Sequence, residues 1–495
     1  MRIYNTLARK KEEFAPPPPY EIKMYTCGQT VYNDIHIGNA RFYVVFDAVR
    51  RYLEHKGYTV RFAQNFTDVD DKIIKRANEE GADSSEIAER YIARTLEDLV
   101  SLNVRKATIN PRATEEIGPI IGMIKTLVDK GFAYEKNGTV FFEAARAKDY
   151  GKLSKKNIDD LEAGARVELN EDKRNPADFV LWKPDKPGEP KWESPWGTGR
   201  PGWHIECSAM AGKYLGTTID IHGGAEDLVF PHHENEIAQS EAANGAQFSR
   251  FWMHCGILTV GHKKMSKSKG NFVTYREAAQ AFSGEVIRFY LLCGHYRTPM
   301  EYGTHLLASA QSGLARIKNS RGALIYVIEN SKTDELQEAE PAAVDEAKKY
   351  AAEFEEAMDD DFNTADAIAA IFNVSRLINV SVDVNKPGAS SKQFAKVLLE
   401  TLDGLLRILG FDPGGQKRSE PERGESKRGE PEIGDTGRTE SGRCDAEVEA
   451  LINARAEART KKDFKEADRI RDRLAAFDVV VEDTASGARW RYADR

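Results

Sequence analysis

At 495 residues the chain is too long for one hydrophobic core, so about two to four domains are expected. With 41% hydrophobic and 30% charged residues it has a globular composition, and no apolar run reaches the roughly 18–20 residues that a membrane helix needs. A net charge of −8 does not advertise a nucleic-acid partner, but local basic patches carry such binding and are not excluded by it.

The N-terminus MRIYNTLARKKEEF has no apolar signal core, so secretion is not expected. The five cysteines, at 27, 207, 255, 293 and 444, are odd in number and widely spaced. That argues against a disulfide framework and for a reducing, cytoplasmic setting. EIKMYTC (21–27) reads as a strand leading through a Gly-bearing loop into a helix with Phe42, Val45, Phe46, Val49 and Leu53 on one face, stopped by Gly57. YTVRFAQNF (58–66) is a second strand, and together they predict a βαβ unit opening a parallel sheet. Residues from about 116 to 200 interrupt the pattern, starting helical and ending in a Pro-, Gly- and Trp-rich, loop-like stretch; they are expected to be an insertion. TIDIHGG (218–224) predicts a strand and 231–243 a helix.

After about 305, Ala-, Glu- and Leu-rich stretches predict a helix bundle reaching about 410. Residues 411–443 are Gly, Pro, Ser and charge with almost nothing apolar after Phe411, which predicts a disordered linker. In the last segment, 444–495, Asp463 and Glu466 form a capping box for a helix with Phe464, Ala467, Ile470 and Leu474 on one side. VVVED and ARWRY then predict a hairpin.

FPHHENEIAQSE (230–241) is unusually polar. His232 and Glu236, four apart on a helix, share a face and can hold one ion; His233 and Glu236 are a second such pair. Ile237 stands where H-E-x-x-H needs its second histidine, and a solvated helix face is the more usual explanation. Cys27 ends the first strand and Cys207, in GWHIECSAM, is expected to follow a later one. In parallel sheets such strand ends line the ligand crevice, and thiolates, imidazole and carboxylate suit zinc. Buried, inert cysteines are the alternative. HIGN (36–39) opens the first helix, where glycine lets a ligand approach and the helix N-terminus favours anions. KKMSKSKGN (263–271) is a basic, Gly-ended loop whose lysines suit phosphates, although such a run is often only solvated charge.

In order, these fragments resemble a known family. HIGN and KMSKS (264–268) are similar to the two signatures of class I aminoacyl-tRNA synthetases. TCGQTVYN, NFTDVDDKI, RPGWHIECSAM, the DIHGG…FPHHENE segment and ARTKKDFKEADRIRDRL with ARWRY resemble cysteinyl-tRNA synthetase. The resemblance covers nearly the whole chain except the linker.

It implies an α/β fold: a Rossmann-like parallel-sheet catalytic domain over 1–310 with the insertion at about 116–200. A helical bundle over 311–410, the linker 411–443 and a small C-terminal anticodon-binding domain over 444–495 would follow. It implies one Zn²⁺ held by Cys27, Cys207, His232 and Glu236, which settles the choice between histidines. Gly28, Thr67 and Trp203 would wall the amino-acid pocket, and His222 and Asp227 would make polar contacts to substrate or adenylate. ATP with Mg²⁺ would be bound at His36, Gly38, Asn39 and Lys267, with His36, Asn39, Lys264 and Lys267 stabilising phosphate charge. The common first signature ends in His; Asn39 cannot carry charge, which puts its catalytic share in doubt.

The implied substrates are L-cysteine, ATP and tRNA(Cys), handled by a monomer with no membrane association. Arg455, Arg459, Lys462, Lys465, Arg469 and Arg473 are candidate phosphate contacts, and Trp490 and Tyr492 candidate base-stacking residues. Two rival readings are a cysteine:aminosugar ligase of thiol-cofactor biosynthesis and a non-catalytic tRNA-binding paralogue. The segment 444–495 argues against the first and the intact signatures against the second.

Overall fold

The computed structural model describes residues 1–16, 20–156, 172–261, 263–264, 272–384, 386, 389–412, 454–455, 458, 464–476, 479–484 and 487–492. It opens with an antiparallel pair, β1 (Arg2–Asn5) and β2 (Lys10–Glu13). Then β3 (Glu21–Thr26), α1 (Ile37–His55) and β4 (Thr59–Gln64) form the predicted βαβ unit, with β3 and β4 parallel. Apolar residues recur on both faces of these strands, as expected for a sheet covered on both sides. Ile22, Met24, Val60 and Phe62 face the core that contains α1, whereas Tyr25 and Ala63 belong to a second core on the other side. Gly57 takes φ +89 just beyond α1, a conformation that an L side chain resists, and so lets the chain turn into β4.

Helices α2 (Asp71–Glu80) and α3 (Ser84–Ser101) follow, each capped by an aspartate at its N-terminus. The insertion is a folded unit. It comprises α4 (Ile117–Asp129) and an antiparallel sheet of β5 (Ala133–Lys136), β6 (Thr139–Phe142), β7 (Phe179–Pro184) and β8 (Gly199–Pro201) in that order. The stretch expected to be loop-like thus contains half of β7 and all of β8. Pro201 is tolerated because β8 is an edge strand.

The chain returns through α5 (Trp203–Leu215) to β9 (Ile219–Ala225), then α6 (Glu234–Asn244) and β10 (Ser249–Cys255). The main sheet runs β10-β9-β3-β4, all parallel. Its chain order reverses between β3 and β9, which makes the carboxyl ends of those two strands the expected ligand crevice. Two expectations are corrected here. Cys207 lies inside α5 and not after a strand of the parallel sheet, and the helix expected from 231 begins at Glu234, after an irregular turn over Val229–His233.

A small sheet follows, of β11 (Leu258–Val260), β12 (Lys263–Lys264) and, beyond α7 (Tyr275–Ala279) and α8 (Gly284–Leu292), β13 (Met300–Glu301). The predicted bundle is α9 (Thr304–Asn330), α10 (Glu340–Asp359), α11 (Thr364–Ser381) and α12 (Lys392–Ile408). Its apolar faces are continuous with the α1 side of the catalytic core. Buried Arg288 bonds Asp47 at 2.6 Å, the Leu409 carbonyl at 2.8 Å and the Leu102 carbonyl at 3.0 Å, tying the end of the bundle to α1 and α3. Phe411, expected to start the linker, is buried with them; residues 413–443 lie outside the described residues. At the C-terminus, α13 (Phe464–Ala476) buries Ala467, Ile470 and Leu474, and β14 (Val479–Thr484) pairs antiparallel with β15 (Gly487–Tyr492) as expected. Asp463 and the Phe464 side chain lie outside the described residues.

Candidate active site

A cleft of about 320 Å³ opens at the carboxyl ends of β3 and β9. Cys27, Gly28, His36, Gly38, Asn39, Trp203 and Asp227 line it, whereas Thr67 and His222 are buried behind its walls. At Gly28 a Cβ would sit 1.6 Å from the Asn65 carbonyl oxygen, so only glycine lets the chain pass. Asn65 Oδ1 accepts from the Gly28 N–H at 2.9 Å and from the Tyr25 hydroxyl at 3.1 Å, and Asn65 Nδ2 donates to Thr67 Oγ1 at 3.3 Å. One buried amide therefore fixes the loop that carries Cys27.

Cys27, Cys207, His232 and Glu236 converge, each offering one donor atom, with those atoms within 4.8 Å of one another. All four side chains are buried, at 5%, 1%, 1% and 0% exposure. Cys27 Sγ lies 3.0 Å from Glu236 Oε1 and 3.4 Å from His232 Nε2, and His232 Nε2 is 3.0 Å from Glu236 Oε1. A second combination, Cys27, His222, His233 and Glu236, also comes within that distance. In it His222 Nε2 meets the other Glu236 oxygen at 2.9 Å, and His233 Nδ1 meets His254 Nε2 at 2.8 Å while its Nε2 stands 3.9 Å from Glu236 Oε1. The first combination keeps both thiols and leaves His222 to orient Glu236. His204 meets the far nitrogen of His232, Nδ1, at 2.9 Å. Such outer partners are what a metal-ligating imidazole and carboxylate require.

The electrostatics favour an anion at Glu236 and at Cys207. Burial opposes ionisation of Glu236, yet the His222 and His232 rings hold it well below the usual carboxylate range. Burial also opposes a Cys207 thiolate, but hydrogen bonds from Cys27 and His232 bring it down to about 6. Against burial, Glu236 and Cys207 lift His232 to about 9. Burial and the neighbouring His232 keep His204 neutral, well below its ordinary value, so it can accept the His232 Nδ1 proton. Burial, with Cys207 and Glu236 beside it, pushes the Cys27 thiol well above its usual range. A thiolate and a carboxylate packed this deeply favour a compensating cation. Two sulfurs, one imidazole and one carboxylate fit zinc.

The other half of the cleft is built on α1. His36 is its N-cap: its Nδ1 accepts from the Asn39 N–H at 3.1 Å, while the His36 N–H donates to Asn39 Oδ1 at 3.2 Å. Asn39 thus holds the helix start through a reciprocal capping box. Phe272 packs edge-on against His36, and the Ile37 N–H donates to the Val273 carbonyl at 3.1 Å, so the chain leaving the second signature is stitched to the first. Lys264 falls in β12; its side chain and all of Lys267 lie outside the described residues.

Sequence reasoning missed Asn65, His204 and His254. Each is a single polar residue outside the quoted signatures' assigned positions, and its role arises from packing. In the C-terminal segment Arg455 is buried, Arg469 is 3.0 Å from Glu466 and Arg473 is exposed. Arg459 and Lys462, and the side chains of Lys465, Trp490 and Tyr492, lie outside the described residues.

A parallel sheet whose crevice joins a capped HIGN helix start to a buried thiol, imidazole and carboxylate cluster defines a class I aminoacyl-tRNA synthetase. Residues 13–312 match the family described as tRNA synthetases class I (C) catalytic domain, 353–411 the DALR domain, and 441–491 the cysteinyl-tRNA ligase anticodon binding domain. The chain is 50% identical over 500 residues to a cysteine--tRNA ligase of Lachnospira eligens, with 100% of both chains covered. It is 47% identical to the enzyme of that name from Clostridioides difficile, covering 99% of this chain and 100% of that one. The chain belongs to the cysteine--tRNA ligase family. Among solved structures, methionyl-tRNA synthetase of Mycobacterium tuberculosis in complex with methionyl-adenylate shares the fold at 16% identity. The match has a TM-score of 0.57 and covers 79% of this chain and 89% of that one.

Proposed function

We propose that this cysteine--tRNA ligase acts on L-cysteine, ATP and tRNA(Cys) in two steps within the one cleft. The cysteine carboxylate attacks the α-phosphorus of ATP, forming the mixed anhydride and expelling pyrophosphate. A terminal ribose hydroxyl of tRNA(Cys) then attacks the acyl carbon and AMP departs. The observation that carries this reading is the buried Cys27–Cys207–His232–Glu236 quartet at the end of β3, in the same crevice as the His36 helix cap.

Zinc held by that quartet would supply a soft, positively charged contact that favours a thiolate over a hydroxyl, and with it selection of cysteine over serine without a separate editing site. Trp203 stacks on His232 with ring centroids 4.2 Å apart and forms the outer wall of the amino-acid end, with Gly28 opposite. His222 orients Glu236, Thr67 braces Asn65, and Asp227 faces the substrate across the cleft. His36, Gly38 and Asn39 present the start of α1 to the phosphates of ATP and its Mg²⁺, and Lys264 and Lys267 close on them as negative charge moves to pyrophosphate.

In this reading residues 1–310 are the catalytic domain, 311–410 lead to the anticodon-binding region, 411–443 link, and 444–495 read the anticodon. The protein works as a cytoplasmic monomer. The test is charging of a tRNA(Cys) transcript beside pyrophosphate exchange. Cysteine-dependent exchange together with charging supports the reading; exchange with no charging of any tRNA contradicts it.

A further inference from the structure

Lys72 is a cation on the wall of the cleft that the two-step reading does not use. It sits in the first turn of α2, where the helix dipole disfavours positive charge. The acids beside it are engaged elsewhere. The Asp70 side chain caps the helix by accepting from the Lys72 backbone N–H at 2.9 Å. Asp71 is held by Lys183 at 2.9 Å and by Arg200, both from the insertion. Among the described residues no carboxylate lies within ion-pair distance of the Lys72 ammonium, which instead rests over the Tyr32 ring, 5.6 Å from its centroid. Tyr32 lines the same cleft, between Cys27 and His36 in sequence.

We propose that Lys72 and Tyr32 seat the 3′ end of the tRNA, the ammonium on a backbone phosphate and the ring against the terminal nucleotide. An unpaired cation held over an aromatic face is the pairing that single-stranded nucleic acid rewards. Lys72 is exposed at the mouth rather than buried on the floor, so it meets what enters from solvent rather than the small amino acid beside Cys27. The insertion then acts as a positioning element, because its hold on Asp71 fixes the start of α2 and leaves Lys72 free for the incoming strand. The inference rests on the cleft being the place of acyl transfer.

The test measures both half-reactions on full-length Lys72→Ala, Lys72→Arg and Lys75→Ala. Lys75 lies one turn along α2, is 79% exposed and pairs with Glu79, so it reports the general surface field. Transfer from preformed cysteinyl-adenylate to a tRNA(Cys) transcript should fall roughly tenfold in kcat/KM for Lys72→Ala, and the salt dependence of tRNA binding should flatten by about one unit of slope. Lys72→Arg should restore most of the loss, and pyrophosphate exchange should keep the wild-type KM for cysteine. Unchanged transfer would overturn the proposal, as would an equal loss in Lys75→Ala. A raised KM for cysteine in exchange would also overturn it, because it would assign Lys72 to the amino acid's carboxylate. Absence of exchange in the wild-type protein would instead contradict the function on which the inference rests.

Discussion

Glu236 turns one oxygen toward Cys27 and His232 and the other toward His222, at 3.0 Å and 2.9 Å for the two imidazoles. A carboxylate free to rotate would lose this division of labour, and His222, stacked on Trp252 with centroids 4.3 Å apart, is itself immobile. His222→Asn should therefore leave all four proposed ligands in place but weaken zinc retention by about 10–100-fold, the usual cost of losing an outer partner. Competition against a calibrated chelator reads this directly, and wild-type retention in the variant would remove His222 from the site. At this scale the cysteines and the polar FPHHENE run drew notice in the sequence, but only the family resemblance singled out Cys27, Cys207, His232 and Glu236 together. Asn65 did not stand out, because a buried amide that accepts from Gly28 and Tyr25 has no signature until the loop is folded around it.

Between elements, polar residues do the joining. Arg276 on α7 contacts Asp98 on α3 at 2.8 Å, and Arg94 on α3 contacts Asp34, just before the HIGN signature, at 2.8 Å. Burial lifts the Asp98 carboxyl to about 6 against the pull of Arg276, and the charge of Asp34 adds to the lift. An unfolded aspartate titrates near 4, so between about pH 4 and 6 the folded state binds more protons than the unfolded chain. Stability from this group therefore falls as pH rises through that window and is flat above it. Asp98→Asn should remove that part of the slope, whatever its effect on absolute stability through Arg276; denaturation at pH 4.5 and 6.5 on both proteins measures it, and identical slopes would refute it.

Periodicity made α1, β3, β4, β9 and the bundle legible. It failed at the end of β7 and at β8, where Pro and Gly interrupt the pattern and the edge position of β8 makes Pro201 acceptable. It failed again at Cys207, because the apolar and small residues around it suit a helix packed on the sheet as well as a strand within it. Helix α6 started later than expected because Val229–His233 form an irregular turn, which still brings His232 to Glu236.

Across the whole molecule the bundle is part of the catalytic core rather than an appendage. Arg288 reaches the Leu409 carbonyl at 2.8 Å, Asn103 Nδ2 donates to the Gly410 carbonyl at 2.6 Å, and the Phe411 ring lies 5.8 Å from that of Phe289. Truncation after Asp412 should keep cysteine-dependent pyrophosphate exchange near the wild-type rate, because the proposed ligands and both signatures precede residue 272. Truncation before Leu409 should lower stability by a few kcal/mol, since it uncovers Phe289 and strips Arg288 of an acceptor. Charging of tRNA(Cys) should fall sharply in both, mainly through the KM for tRNA; normal charging without residues 413–495 would contradict the proposed anticodon role.

Selection of cysteine by a metal held at Cys27, Cys207, His232 and Glu236 can be read in a single set of reactions. Pyrophosphate exchange is measured with cysteine and with serine, on the zinc-loaded protein, after chelation, and after zinc is returned, with metal content determined in each sample. About one zinc per chain is expected, with cysteine activation lost on chelation and recovered with zinc, and negligible serine activation throughout. Full, cysteine-selective exchange in protein free of metal would show that the quartet does not select the substrate.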